Sequence, residues 1–211
     1  MDNNKIHWQA IFWDFDGVIL NSMPIRDRGF ATVLSDFPAV QIDELLKFHR
    51  ANGGLSRYVK FRYFFETIRQ ETVTEVYVQL WAQRFSEQMR QLLTAPELLI
   101  APIVDYIKDN YSHVPMYIVS GSDQDELRWL CNQHEIAQYF KSIYGSPTSK
   151  KVWLKQLLSE ESYNPDKVVL IGDSKNDYEA ANESGIHFLA YNNASLNTFN
   201  TTSWKLPFKD E

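Results

Sequence analysis

Apolar positions along the chain fall into two regimes. Short continuous runs, each ended by glycine, serine or acidic residues, mark buried strands. Ala10-Ile11-Phe12-Trp13 leads into Asp14-Phe15-Asp16-Gly17, Met116-Tyr117-Ile118-Val119 into Ser120-Gly121-Ser122-Asp123, and Val168-Val169-Leu170-Ile171 into Gly172-Asp173-Ser174. Residues 186–191 and the shorter 142–144 complete the set. Runs without polar alternation suit a parallel sheet covered on both faces.

Helical patterns lie between these runs. Ser122, with Asp125 three residues on, forms a capping-box pattern that predicts a helix as far as Cys131. Residues 150–158 gather Val152, Trp153, Leu154, Leu157 and Leu158 near one face, and a helix over 177–184 stops at Gly185. This alternation from about residue 100 onward predicts an α/β fold, a Rossmann-like doubly wound parallel sheet. Residues 21–93 differ: they offer helical stretches at 30–34, 42–49, 57–69 and 74–93 and no strand. The expected organisation is therefore a core of residues 1–20 and 94–211 interrupted by an α-helical cap at 21–93. The tail from Asn192, with Trp204, Leu206 and Phe208, is expected to lie over the surface or pack loosely.

Composition narrows the functional classes. A net charge of -6 removes any general attraction for nucleic acid or anionic lipid, so a phosphate-bearing ligand would need local cations or a metal. The single Cys131 forms no internal disulfide, which favours a reducing compartment. Asp2, Asn3 and Asn4 do not read as a signal peptide, and no run of ~18 apolar residues predicts a membrane span. We expect a cytoplasmic protein, monomeric or a weak homodimer, with a small-molecule partner and neither nucleic acid nor membrane. No Gly-rich dinucleotide fingerprint or phosphate loop ending in Gly-Lys-Ser/Thr is present.

Asp14 and Asp16 share a face of an extended segment at the strand end where open α/β sheets bind ligands. Asp173 and Asp177 form a second acidic cluster, which also reads as N-capping of the following helix. Four carboxylates in one pocket would repel unless a divalent cation such as Mg²⁺ sat among them. Ser120 and Gly121, ahead of a helix N-terminus, make a phosphate site or an ordinary strand-to-helix turn. Lys150 opens the next helix, with adjacent Lys151 as a competitor. His134 beside Cys131 has no partner pair at zinc spacing and reads as part of a helix face. The aromatic stretch Phe61-Arg62-Tyr63-Phe64-Phe65 suits a pocket wall and a helical core equally.

These motifs, in this order, resemble the haloacid dehalogenase-like superfamily, in the branch with a helical cap after the first strand, such as phosphoglycolate phosphatases and β-phosphoglucomutases. Asp14-Phe15-Asp16-Gly17-Val18, Ile118-Val119-Ser120-Gly121, Lys150, and Gly172-Asp173 with Asp177 match its four motifs across nearly the whole chain. The resemblance implies a Mg²⁺-dependent phosphatase acting on a small phosphate ester, a sugar phosphate foremost. Asp14 would form an aspartyl phosphate and Asp16 would act as acid and base. Ser120, Gly121 and Lys150 would hold the phosphoryl oxygens. Asp14, the backbone carbonyl of Asp16 and Asp173 would bind metal, with Asp177 in support. The presence of Asp16 argues against dehalogenation, since a halide leaves without a proton. Gly54-Leu55-Ser56-Arg57 resembles a cap loop that grips substrate, which makes Arg57 a candidate clamp; a helix cap at Ser56 followed by a solvated Arg57 is the plainer reading. Mutase relatives carry a cap histidine soon after the first motif, whereas Arg26 stands in that vicinity here and favours hydrolysis. A sugar-phosphate mutase and a catalytically silent binding protein are the alternatives.

Overall fold

A computed structural model describes residues 7–207; Asp2, Asn3, Asn4 and Phe208 lie outside them. Five strands, β1 (Ala10–Trp13), β2 (Met116–Asp123), β3 (Ser142–Ser146), β4 (Val168–Gly172) and β5 (His187–Ala190), form one sheet in the order β3-β2-β1-β4-β5, and every pairing is parallel. Consecutive side chains of a strand point to opposite faces. Ile11, Trp13, Ile118 and Ile171 enter one core, while Ala10, Phe12, Val119 and Leu170 enter another with Leu154, Leu157 and Ala181. That double burial is why the strands read as unbroken apolar runs. None of the described helices is long and apolar enough to cross a membrane.

Helices α1 (Met23–Val33), α2 (Ala39–Ala51), α3 (Arg57–Tyr63) and α4 (Glu75–Leu92) follow β1, and α5 (Ala101–Asn110) leads into β2. The chain leaves and re-enters the sheet region through paired backbone, with Asn21 N–H donating to Leu98 O at 2.7 Å and Ile100 N–H to Ile19 O at 2.9 Å. The helix expected over 57–69 is α-helical only to Tyr63 and continues as a π turn, Phe64–Ile68. Phe61, Phe64 and Phe65 are fully buried among Phe30, Phe37, Trp81 and Phe85, so this aromatic stretch is core rather than pocket wall.

Helices α6 (Gln124–Gln133), α7 (Lys150–Glu160) and α8 (Lys175–Ser184) pack on the sheet. The expected cap of α6 is displaced by one residue. Strand β2 runs on to Asp123, which pairs with Ser146 of β3, and the Asp123 carboxylate, not Ser122, accepts the Glu126 N–H at 3.0 Å. The described part of the tail lies over the sheet's edge. Asn200 Oδ1 accepts from Ala190 N–H and Thr201 Oγ1 from Phe188 N–H, so 200–201 covers the open edge of β5. Trp204 packs against Trp8 and Tyr106. His134 Nε2 donates to Leu93 O, 2.7 Å away, and Cys131 is buried, an ordinary helix face.

Candidate active site

β1 and β4 are neighbours, with Trp13 opposite Ile171, so the residues that follow them emerge side by side. Asp14 N–H still donates to Ile171 O at 2.9 Å, which holds Asp14 at the sheet edge. Gly17 then turns the chain with φ +77°, and a Cβ there would lie 2.0 Å from Asp173 Oδ2. Both the backbone conformation and the crowding demand glycine. Carboxylate oxygens of Asp14, Asp173 and Asp177 lie within 4.8 Å of one another.

Lys150 and Lys151 are separated by the fold. Lys150 is buried, with Nζ 3.0 Å from Asp14 Oδ1 and donating to Asp177 Oδ1, whereas Lys151 is exposed and paired with Glu183. Burial works to lower the Lys150 ammonium, but Asp14 and Asp177 outweigh it and hold it above the usual lysine range. Asp177 spends its other oxygen on Ser174, accepting from its N–H at 3.0 Å and its hydroxyl at 2.8 Å in a capping box. The helix-cap reading of Asp177 therefore holds alongside its place in the cluster. No hydrogen bond to the Asp173 carboxylate occurs among the described residues, while Asn193 Nδ2 donates to its backbone carbonyl at 2.8 Å.

The cluster is short of positive charge. Three carboxylates face one ammonium, and Asp14 and Asp173 are both pushed above the ordinary carboxylate range by burial and by the other acids. A hard divalent cation would restore balance, and Mg²⁺ favours sites with one or two carboxylates of the kind Asp14 and Asp173 present. The residues thus fit Mg²⁺.

Asp16 points elsewhere. It accepts from Arg26 Nε at 2.6 Å, Ser122 Oγ at 2.5 Å and the Ser22 hydroxyl. Burial acts to raise its carboxyl, but Arg26 and the two hydroxyls outweigh burial and hold it below the usual range. Behind it, fully buried Glu126 accepts from Arg26 Nη1 at 3.0 Å and from Arg57 Nη1 and Nη2 at 2.5 and 2.8 Å. Arg57 Nη1 also reaches Ser86 Oγ at 2.5 Å. Ser56 does cap α3, accepting from Val59 N–H, but Arg57 is buried rather than solvated. Both of its terminal nitrogens are engaged, because a guanidinium inside the protein requires a counter-charge.

Ser120 and Gly121 end the apolar part of β2 beside Asp14, and Ser120 Oγ accepts from Ser122 N–H at 3.2 Å. A Cβ on Gly121 would sit 2.3 Å from Gly54 O, so the loop before α3 lies directly on the strand end. Between them is a narrow cleft lined by Asp14, Asp16, Arg26, His49, Lys60 and Ser120, among others. Sequence reasoning missed Ser22, Ser122, His49, Lys60 and Glu126. Ser122 resembled a helix cap. The rest carry no spacing that distinguishes them from ordinary helix residues, and only the fold brings them to the cavity.

The family model described as haloacid dehalogenase-like hydrolase matches residues 11–191. A phosphoglycolate phosphatase of Synechococcus elongatus is 25% identical over 182 residues, covering 84% of this chain and 81% of that protein. Among solved structures, CbbY of Rhodobacter sphaeroides in complex with xylulose-(1,5)bisphosphate superposes with a TM-score of 0.70 at 16% identity, covering 89% of each chain. A β-phosphoglucomutase of Clostridium difficile gives a TM-score of 0.70 at 15% identity, covering 87% of this chain and 84% of its own.

Proposed function

The chain belongs to the haloacid dehalogenase-like hydrolase family, and we propose that it is a Mg²⁺-dependent phosphatase of small phosphate esters that works through an aspartyl phosphate on Asp14. The observation that carries this reading is the meeting of Asp14, Asp173 and Asp177 around Lys150, beside Ser120 and Gly121. Clustered carboxylates with a buried ammonium among them, next to a strand-end hydroxyl, suit phosphoryl transfer, in which positioning and charge stabilisation supply most of the catalysis.

In this mechanism an Asp14 carboxylate oxygen attacks phosphorus as the bond to the ester oxygen breaks. Asp16 gives its proton to the departing alkoxide. Before substrate binds, Arg26 holds Asp16 ionised; the negative charge of an arriving phosphate favours its taking a proton from solvent, and this is the proton it passes to the alkoxide. Water then attacks phosphorus, Asp16 takes its proton, and phosphate leaves with Asp14 restored. Ser120, the Gly121 N–H and Lys150 hold the phosphoryl oxygens. Asp14, the Asp16 carbonyl and Asp173 would hold Mg²⁺, with Asp177 in support, where its charge would offset that of the phosphoryl group.

The helices of residues 21–93 act as a cap that excludes water. Arg57 serves this site by holding Glu126, and direct contact with substrate requires it to leave that partner. A lone buried thiol suits the cytoplasm, and a monomer suffices for a site built from one chain. A mutase is the second reading, favoured by His49, which enters the cavity from α2. Burial lowers that imidazole to about 2 and keeps it neutral, so hydrolysis leads.

The test is release of inorganic phosphate from p-nitrophenyl phosphate and a panel of phosphorylated metabolites with Mg²⁺ present. Asp14→Asn is expected to cut release by about 10³-fold or more while the fold persists. Wild-type turnover in that variant would overturn the assignment.

A further inference from the structure

The turn that follows β5 reaches both loops that carry the acidic cluster. β5 pairs with β4 and β4 with β1, so this turn starts two strands away from Asp14. Tyr191 N–H donates to Gly172 O at 2.9 Å, which carries the pairing on to the end of β4. Asn192 then adopts a left-handed backbone, φ +55°, a conformation that asparagine tolerates better than most residues. Its Nδ2 donates to Gly17 O at 3.1 Å, and Asn193 Nδ2 donates to Asp173 O at 2.8 Å. A carbonyl only accepts, so each amide must present its nitrogen. Asn193 is held from its other side as well, its Oδ1 accepting from Ser195 N–H at 3.3 Å and Ser195 Oγ at 2.7 Å. The two anchored carbonyls belong to loops in direct contact. Gly17 lies so close to the Asp173 carboxylate that a Cβ there would sit 2.0 Å from Oδ2.

We propose that Asn192 and Asn193 are positioning residues for the cation site, tying the β1 and β4 loops to one turn so that Asp14 and Asp173 converge before an ion binds. The inference rests on the reading of the acidic cluster as a Mg²⁺ site. Asp14 and Asp177 both face Lys150. The Asp173 carboxylate accepts no hydrogen bond among the described residues, so its place is set through the backbone that Asn193 holds and the packing of Gly17. Without an ion the neighbouring carboxylates repel one another. Loops free to part would do so, and the ion would then have to gather its own ligands. Groups standing behind the ligands of a metal commonly account for about 10- to 100-fold in affinity. Both asparagines act on backbone carbonyls rather than on the carboxylates themselves. Asn192 is exposed and Asn193 half-buried, so the tether from Asn193 competes less with water and carries the larger share.

The test measures Mg²⁺ binding by isothermal titration calorimetry in the wild type, Asn192→Gly, Asn193→Ser and the double variant. Glycine accepts the left-handed backbone and removes the side-chain amide. Serine retains an oxygen that can cap Ser195 N–H but lacks the amide that reaches Asp173 O. The Mg²⁺ dissociation constant is expected to rise about 10-fold in Asn193→Ser, less in Asn192→Gly and most in the double variant. The Mg²⁺ concentration for half-maximal phosphate release should rise in parallel, while the metal-free melting temperature stays within about 4 °C of the wild type. An unchanged dissociation constant in the folded double variant overturns the proposal, and so does a fall in metal-free melting temperature with no change in binding. Calorimetry reads binding without turnover, so the two readings fail separately. A wild type that binds Mg²⁺ but releases phosphate from no ester brings down the phosphatase reading, while the binding ratios still decide the tether. A wild type that binds no Mg²⁺ overturns the proposal outright.

Discussion

Glu126 is the place where helices between β1 and β2 are locked to a helix packed on the sheet. It projects from α6, is fully buried, and accepts three hydrogen bonds from guanidinium groups on α1 and α3. Replacing it with glutamine retains the shape and removes the charge. Arg26 keeps Asp16 as a partner, whereas Arg57 is left with the Ser86 hydroxyl. The cost is therefore about one uncompensated buried guanidinium, on the order of 3–5 kcal/mol. For a chain of 211 residues, each kcal/mol moves the melting temperature by about 2–4 °C, so Glu126→Gln should lower it by roughly 6–20 °C. Thermal unfolding by circular dichroism, with urea titration as a second measure, reads this directly. Because the charge and not the packing is at issue, the double variant Glu126→Leu with Arg57→Met should recover much of the loss, since apolar pairs commonly replace buried ion pairs without penalty. Stability of Glu126→Gln within about 1 kcal/mol of the wild type would refute the lock.

Two further outcomes follow from the acidic cluster and the loop that covers it. Without a cation, Asp14 and Asp173 have folded-state values raised above 3.8, so the folded chain binds more protons than the unfolded one and loses stability as pH rises through that window. Mg²⁺ should accordingly raise the melting temperature more at pH 8 than at pH 5, as calorimetry can show, and equal shifts would contradict the cluster as its site. Gly121→Ala places a Cβ 2.3 Å from Gly54 O, so the loop must move; a loss of about 1–3 kcal/mol with reduced kcat/KM is expected, and an unchanged melting temperature and rate would show that the loop is not seated there.

Much of the architecture was legible because the physical signals are local. The strand positions followed from runs long enough to fill both sheet faces, and Gly185, at φ +71°, stopped α8 where the pattern ended. Asp14, Ser120, Lys150 and Asp173 were legible as candidates because each follows a strand or opens a helix. Local patterns also misled. Ser122 and Asp123 are both good helix caps, and only the extended pairing of Asp123 with Ser146 decides which one caps α6 and which one turns to Asp16. Phe64 and Phe65 have helical spacing, yet they open a π turn rather than continue the α-helix.

By itself the sequence determined the strands, the helical insertion and the acidic residues at strand ends, because apolar periodicity and turn chemistry act over a few residues. The tertiary structure alone decided what those residues meet. It separated Lys150 from Lys151 and drew Arg57 into Glu126, since a charge buried far along the chain takes its partner from whichever element the fold brings within about 3 Å.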